Sequence, residues 1–298
     1  MFRQYLYLAF WFFQVKFLGK KKPLQTVIFI TDKCNLSCKH CVIYNHQAPT
    51  MKPIETIEKE LTFAYQQGAR FVDFEGGEPT LWKEKNLNIN NLIALAKKIG
   101  FFSCTITTNA QKDFSWVKAD SIWVSMDGTN DFHDAVRGKG TFANLEKNIA
   151  NSNQKKICVN MVVSTQNYTN VREAIIYAKN NPQIQSIAIN FITPYSGIEH
   201  LWLDWEKRTQ VIDEVLAMKK NKFPIMNSKS GLKMMKKNNF KKYCWVSNFI
   251  FLDGTRTPDC GGSTLNLCER CGYSMSGEMA SVMNFKPDTL LSGLKLRL

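Results

Sequence analysis

From Pro23 onward the chain alternates short apolar, β-branched runs with amphipathic stretches, and this alternation limits the folds open to it. Residues 27–31, 71–74, 102–107, 121–125, 157–163 and 186–192 read as strands. Between them a helix opens at Pro53, with Ile54, Ile57 and Leu61 on one face, and closes at Gly68. Further helices are expected over 92–98, stopped by Gly100, and over 142–149, 171–179 and 206–219. Six strand–helix units imply an α/β fold with a parallel sheet. That sheet is either open and doubly wound or a partial barrel, and alternation does not separate the two. In both, reactive groups collect at the C-terminal ends of the strands.

The first strand runs straight into Cys34-Asn35-Leu36-Ser37-Cys38-Lys39-His40-Cys41, a C-x3-C-x2-C spacing. Thiolates are soft ligands that suit iron–sulfur or zinc sites. A zinc ribbon needs two C-x2-C pairs, and no fourth thiol lies nearby. Three ligands on a four-iron cluster would leave one iron open to a substrate. The next strand ends in Glu75-Gly76-Gly77-Glu78-Pro79-Thr80. Its glycines allow close backbone approach, and Glu78 offers a carboxylate to an ammonium group. The third ends in Thr107-Thr108-Asn109-Ala110, short polar groups able to bond a ribose or cap a turn. The fourth ends in Ser125-Met126-Asp127-Gly128, with His133, Asp134, Arg137 and Gly138 downstream. Arg137 could clamp a carboxylate bidentately or form a loop salt bridge. Asp127 reads as shaping the turn and His133 as a loop residue. Cys104 and Cys158, isolated in strands, read as buried structural thiols.

On these residues the chain resembles the radical S-adenosylmethionine (SAM) superfamily. The resemblance implies a partial (β/α)6 TIM-type barrel. It implies that Cys34, Cys38 and Cys41 hold a [4Fe–4S] cluster whose open iron chelates SAM. One electron then cleaves SAM to methionine and a 5′-deoxyadenosyl radical, which abstracts hydrogen. The stretch Gly76, Gly77, Glu78, Pro79 resembles the motif that binds the SAM amino group. Thr108, Asn109, Ser125 and Arg137 are the further SAM-site candidates, and no catalytic residue acting on substrate is assigned. A low-potential donor such as flavodoxin or ferredoxin is the implied electron source.

A second group comprises Cys244, Cys260, Cys268 and Cys271, with an Asp253-Gly254 hairpin signal between the first two. Four thiols arranged in this way can converge on one metal, zinc being one reading. The stretch resembles the twitch or SPASM extension of the superfamily. That resemblance implies one auxiliary [4Fe–4S] cluster, since four thiols fall short of the seven that usually serve two. Seven of the nine cysteines thus sit in two ligand-like groups, which fits metal sites in a reducing cytoplasm rather than disulfides. The division expected is an N-terminal helix over 1–22, a core over 23–222 and a cysteine-rich extension over 223–298.

Residues 1–18 are dominated by Phe, Leu, Tyr and Trp, and Lys20, Lys21 and Lys22 follow. The stretch is shorter than a span prefers, is interrupted by Arg3 and Lys16, and lacks a secretory cleavage site. It reads as an interfacial helix on an anionic membrane surface or as a helix packed on the barrel, and less well as a span. The location expected is cytoplasmic, with peripheral attachment to the inner face of the membrane. A net charge of +14 also suits nucleic acid, but no RNA-binding signature accompanies it. Three functions compete: a radical SAM enzyme on a membrane-associated, lipid-type substrate; a peptide or protein maturase; and a non-enzymatic iron–sulfur or metal-binding module. The strand-end motifs argue against the last.

Overall fold

The computed structural model describes residues 2–154 and 157–296. Helix α1 (Phe2–Phe17) precedes the alternating core. That core runs β1 (Gln25–Thr31), α2 (Ile54–Gln67), β2 (Phe71–Gly76), α3 (Ile89–Ile99), β3 (Ser103–Thr108), β4 (Ser121–Ser125), α4 (Asn130–Arg137), α5 (Thr141–Asn151), β5 (Ile157–Val163), α6 (Val171–Asn180), β6 (Ile184–Phe191) and α7 (Trp205–Lys220). The rest adds α8 (Lys229–Met235), β7 (Ser247–Ile250), β8 (Arg256–Thr257), α9 (Ser274–Met283) and α10 (Pro287–Leu296).

Strands β1 to β6 pair in parallel in chain order, and the full sheet reads β8-β7-β1-β2-β3-β4-β5-β6. The sheet keeps two edges, so the barrel is partial. Alternation along the strands separates two faces. Ile28, Ile30, Val72, Phe74, Ile106 and Val124 are buried in the main core against the helices. Their alternates, including Asp73, Glu75, Ser125, Asn160 and Asn190, face the lumen, where Gln25 Nε2 donates to Asp73 Oδ2 at 2.6 Å and Asn190 Nδ2 to Asn160 Oδ1 at 2.7 Å. Burying apolar side chains of this size is worth about 1.5–3 kcal/mol each, so the helix-facing layer holds the sheet and leaves the lumen free for polar groups.

The C-terminal residues extend this sheet. β7 lies parallel to β1, with Gln25 opposite Ser247, and turns through Asp253 and Gly254 into antiparallel β8. The hairpin was legible; its docking beside β1 was not, because no local pattern names a strand's distant neighbour.

Helix α1 covers the N-terminal end of the barrel. Trp11 and Val15 pack with Leu24, Phe71, Val246, Met279 and Met283, and Tyr7 stacks edge-on to Phe102 at 5.6 Å. Leu24, Phe71, Val246 and Phe102 all sit at or just before strand starts. The Tyr7 hydroxyl donates to the Gly68 carbonyl, and Trp11 Nε1 to the Lys22 carbonyl at 2.8 Å. The packed alternative is therefore present, with the polar Tyr7 and Gln14 turned inward. Among the described residues no helix is long and apolar enough to cross a membrane.

Candidate active site

The loop between β1 and α2 carries Cys34, Cys38 and Cys41 at the C-terminal end of β1. Cys38 is buried and the other two are half-buried. Local amides shape the loop: Cys41 N donates to Cys38 O at 3.0 Å, and Leu36 N to Cys34 Sγ at 3.4 Å. Lys39 N donates to Val136 O at 2.9 Å, tying the loop to α4. Burial pushes the Cys38 thiol up to about 11, against the pull of the Arg137 guanidinium. A metal bound at this loop would have to displace protons.

Gly76 and Gly77 serve this loop directly. Gly76 has φ +148°, and a Cβ there would lie 2.0 Å from the Thr31 carbonyl oxygen; one on Gly77 would lie 2.3 Å from Lys33 O. Gly77 N donates to Thr31 O at 2.7 Å and Glu78 N to Lys33 O at 2.8 Å. The close approach expected of a ligand is here made by the cysteine loop's own backbone, which seats on the end of β2.

Glu78 is buried, and its carboxylate is already well supplied with donors. Oε1 accepts from Thr80 Oγ1 at 2.6 Å and Thr108 Oγ1 at 2.8 Å, and Oε2 accepts from Asn109 N at 2.8 Å. Burial raises its pKa while these bonds oppose the rise. Pro79 opens a short helical turn capped by Glu78. Asn109 turns its amide to the loop: Nδ2 donates to Asn35 Oδ1 at 2.8 Å and lies 3.7 Å from Cys34 Sγ. Ser125 ends β4, on the lumen face beside Asn160.

Of the two readings of Arg137, the salt bridge is realised. Its Nε donates to Asp127 Oδ2 at 2.7 Å, and Nη1 lies 3.9 Å from Cys38 Sγ. Asp127 is more than a turn residue. It is fully buried, its Oδ1 accepts from Val162 N at 2.9 Å, and His40 Nε2 lies 3.8 Å from Oδ2. His133, read as a loop residue, is buried on α4, where Nδ1 accepts from Asp127 N at 3.2 Å. Its burial brings its pKa down to about 4, so it stays neutral and can accept that bond. The link from His40 to Asp127 was missed; its only sequence signal was a histidine within the cysteine spacing.

Cys244, Cys260, Cys268 and Cys271, distant in sequence, line one small cavity with Thr193, Lys242, Gly262, Leu267 and Tyr273. Close packing at Gly272 fixes this region to the end of β6: a Cβ there would lie 1.9 Å from Phe191 O, and Phe191 N donates to Gly272 O at 2.9 Å. The coupling between Cys244 and Cys260 raises the first thiol and lowers the second. Two cations stand close. Arg208, fully buried, donates from Nη1 to Cys271 O at 2.8 Å; its guanidinium lies over the rings of Phe191 and Trp205, and Nε and Nη2 have no hydrogen-bond partner among the described residues. Lys242 feels the charges of Cys271, Cys244 and Cys268. All nine cysteines are free thiols. Among the described residues, no three His, Cys, Asp or Glu side chains gather closely enough to hold a single metal ion. Cys104 and Cys158 are buried in strands, as expected.

A partial (β/α)6 barrel with three thiols on the loop after its first strand defines a class of enzyme that works at the mouth of the barrel. The Radical SAM superfamily pattern matches residues 28–177, and the chain belongs to that superfamily, whose members are enzymes that use SAM and a [4Fe–4S] cluster. It is 34% identical over 134 residues to a GTP 3′,8-cyclase of Haemophilus influenzae, covering 37% of this chain and 38% of that protein. It is 29% identical over 173 residues to the Fe-coproporphyrin III synthase of Methanosarcina barkeri, covering 53% and 41%. The chain therefore matches about two-fifths of the length of these relatives. Among solved structures, Streptococcus suis SuiB bound to S-adenosylmethionine superposes with TM-score 0.65 at 19% identity, over 85% of this chain and 64% of that one. The enzyme anSMEcpe with bound AdoMet gives 0.64 at 20% identity, over 92% and 83%. At that identity the likeness is one of fold.

Proposed function

We propose that this enzyme cleaves SAM reductively at a [4Fe–4S] cluster held by Cys34, Cys38 and Cys41, and modifies a polar substrate entering the barrel from its C-terminal end. One observation carries the reading: side chains from the ends of three further strands meet around the cysteine loop. When bound, the cluster supplies the electron that breaks SAM, drawn from a low-potential donor such as flavodoxin or ferredoxin. The protein's own residues do the rest. Asn109 and Arg137 aim donors at the sulfurs of Cys34 and Cys38, where burial raises the thiols, and such donors would stabilise the thiolates once a metal has displaced the protons. Glu78 holds Thr108 and Asn109 in place, and its Oε2 keeps a lone pair for the SAM ammonium. Gly76, Gly77 and Pro79 fix the backbone that presents Glu78. Ser125 offers its hydroxyl from the lumen face. Arg137, bonded to Asp127 through Nε, keeps its outer nitrogens for the cluster loop and the SAM carboxylate.

The four thiols of the 223–298 extension suit one auxiliary [4Fe–4S] cluster, in the manner of a twitch extension. Four thiolates gather negative charge, and the Arg208 guanidinium and Lys242 offset it. Metal analysis distinguishes this cluster from a single zinc ion held by the same thiols. Asp73, Glu75, Ser125, Asn160 and Asn190 give the lumen hydrogen-bonding walls, which favours a peptide-like or other polar substrate over the acyl chain of a lipid. The location this reading adopts is cytoplasmic, with α1 as a peripheral membrane contact.

The test is anaerobic reconstitution followed by measurement of 5′-deoxyadenosine after adding SAM and a reductant. Triple Cys→Ala replacement at 34, 38 and 41 should abolish the product while the C-terminal site keeps its metal; undiminished product would refute the assignment.

A further inference from the structure

The face of α1 turned away from the barrel carries Phe2, Leu6, Phe10, Phe13 and Phe17, at i, i+4, i+8, i+11 and i+15, one stripe of a helix. All five are exposed, Phe2 at 77% and the others between 49% and 61%. Phe285, itself 47% exposed, continues the stripe onto the turn between α9 and α10, with Phe12 against it at 5.5 Å. A soluble surface normally breaks up apolar area on this scale.

The charge carried by the N-terminal segment has one sign. Residues 1–31 contain Arg3, Lys16, Lys20, Lys21 and Lys22 and no Asp or Glu. Arg3, Lys20 and Lys21 are exposed, and Lys286 adjoins Phe285. Lys16 lies over the Phe285 ring at 4.8 Å, its stem running along the apolar surface. An apolar stripe ringed by cations fits an anionic surface and repels a second copy of itself. From this geometry we infer that the outer face of α1, with Phe285, lies in the headgroup region of an anionic phospholipid bilayer while Trp11 and Val15 stay docked on the barrel.

The inference rests on reading α1 as a membrane contact and fixes an orientation. α1 covers the strand starts, whereas Cys34, Glu78, Asn109 and Ser125 lie at strand ends. A seven-residue strand separates the two by about 23 Å. A bilayer beneath α1 thus leaves the barrel mouth facing water, and the substrate arrives from the aqueous side. The membrane tethers the enzyme and does not feed it.

The test uses the full chain with vesicles of phosphatidylglycerol and phosphatidylcholine, against vesicles of phosphatidylcholine alone. Binding is expected only with the anionic lipid and should weaken with salt. Leu6→Gln, Phe10→Gln and Phe13→Gln together change exposed positions only and should abolish binding. Lys20→Gln with Lys21→Gln should weaken it about 30-fold at low salt. SAM cleavage should be unchanged in both variants, so a failed chemistry is told apart from a failed anchor. Absence of wild-type binding, or wild-type affinity in the triple variant, overturns the inference. So does a dimer that the triple variant dissociates without any vesicle binding, which would assign the stripe to a second copy.

Discussion

Removing the charge of Asp127 tests whether the cysteine loop is held by a buried ion pair. Asp127 is fully buried and Arg137 nearly so, with Nε and Oδ2 2.7 Å apart. Asp127→Asn keeps the shape and can still accept from Val162 N, but leaves the guanidinium without its carboxylate beside Cys38. Stranding one partner of a buried pair costs about 3–5 kcal/mol. Arg137→Met strands the carboxylate instead, with Val162 N and His40 as partial compensation, so its cost should fall at the lower end. The double variant strands neither charge. It should therefore be less destabilised than the sum of the singles, with a coupling of about 2 kcal/mol, within the range for contacting residues. The assay is urea unfolding of cluster-free protein at neutral pH, kept anaerobic so that thiols do not oxidise. Single variants losing less than about 1 kcal/mol, or effects additive within about 0.5 kcal/mol, would refute the reasoning.

Two further outcomes follow from the same geometry. Gly76→Ala places a methyl 2.0 Å from the Thr31 carbonyl at a φ that side chains rarely adopt, so unfolding experiments should show a loss above about 3 kcal/mol, and iron uptake at the cysteine loop should fall with it. Reconstituted wild type should hold about eight irons per chain, falling to about four when Cys244, Cys260, Cys268 and Cys271 are all replaced by Ala; about four irons plus one zinc in the wild type would make the second site structural.

Much of the catalytic end was legible because its cues are local. Strand runs, helix stops at Gly68 and Gly100, and the three thiols after residue 31 each follow from a few adjacent residues. The strand at 121–125 and that at 157–163 match the structure at both ends. What escaped depends on distance in sequence. β7 beside β1, Gly272 against Phe191, and the convergence of Cys244 with Cys271 are contacts no periodicity announces. The glycines at 76 and 77 were readable as points of close approach, but that the Thr31 and Lys33 carbonyls make that approach required the fold. Helix α4 was missed because Asn130–Arg137 carries Asp131, His133, Asp134 and Arg137 and reads as a polar loop; it is helical because Val136, His133 and the stem of Arg137 are buried.

The polar lumen gives a last test, through pH. At Asp127 burial alone would raise the carboxyl, but Arg137, His40 and the Val162 amide outweigh it and hold the group below its ordinary value. Stability from this group is complete above the unfolded pKa and is lost as pH falls through the folded one. Glu75 is pushed the other way: burial in the lumen wall, with the charge of Asp73 adding to it, raises it to about 7. The folded chain then binds more protons at Glu75 than the unfolded chain does, so stability falls as pH rises from about 4.5 through 7. Glu278 does the same between α8 and α9, raised to about 7 by burial against the opposing Ser228 donors. Histidines held neutral push in the opposite direction below about pH 6.5, so the whole-protein profile mixes the signs. The difference between wild type and Glu75→Gln isolates one group. In cluster-free protein that difference should shift in favour of the variant between pH 5 and pH 8, because only the wild type must then carry a charge on the half-buried lumen wall. An identical difference at both pH values would mean that Glu75 is solvated and takes no part in setting the charge of the lumen. If the shift is found, the folded lumen holds the Glu75 proton more tightly than the unfolded chain does.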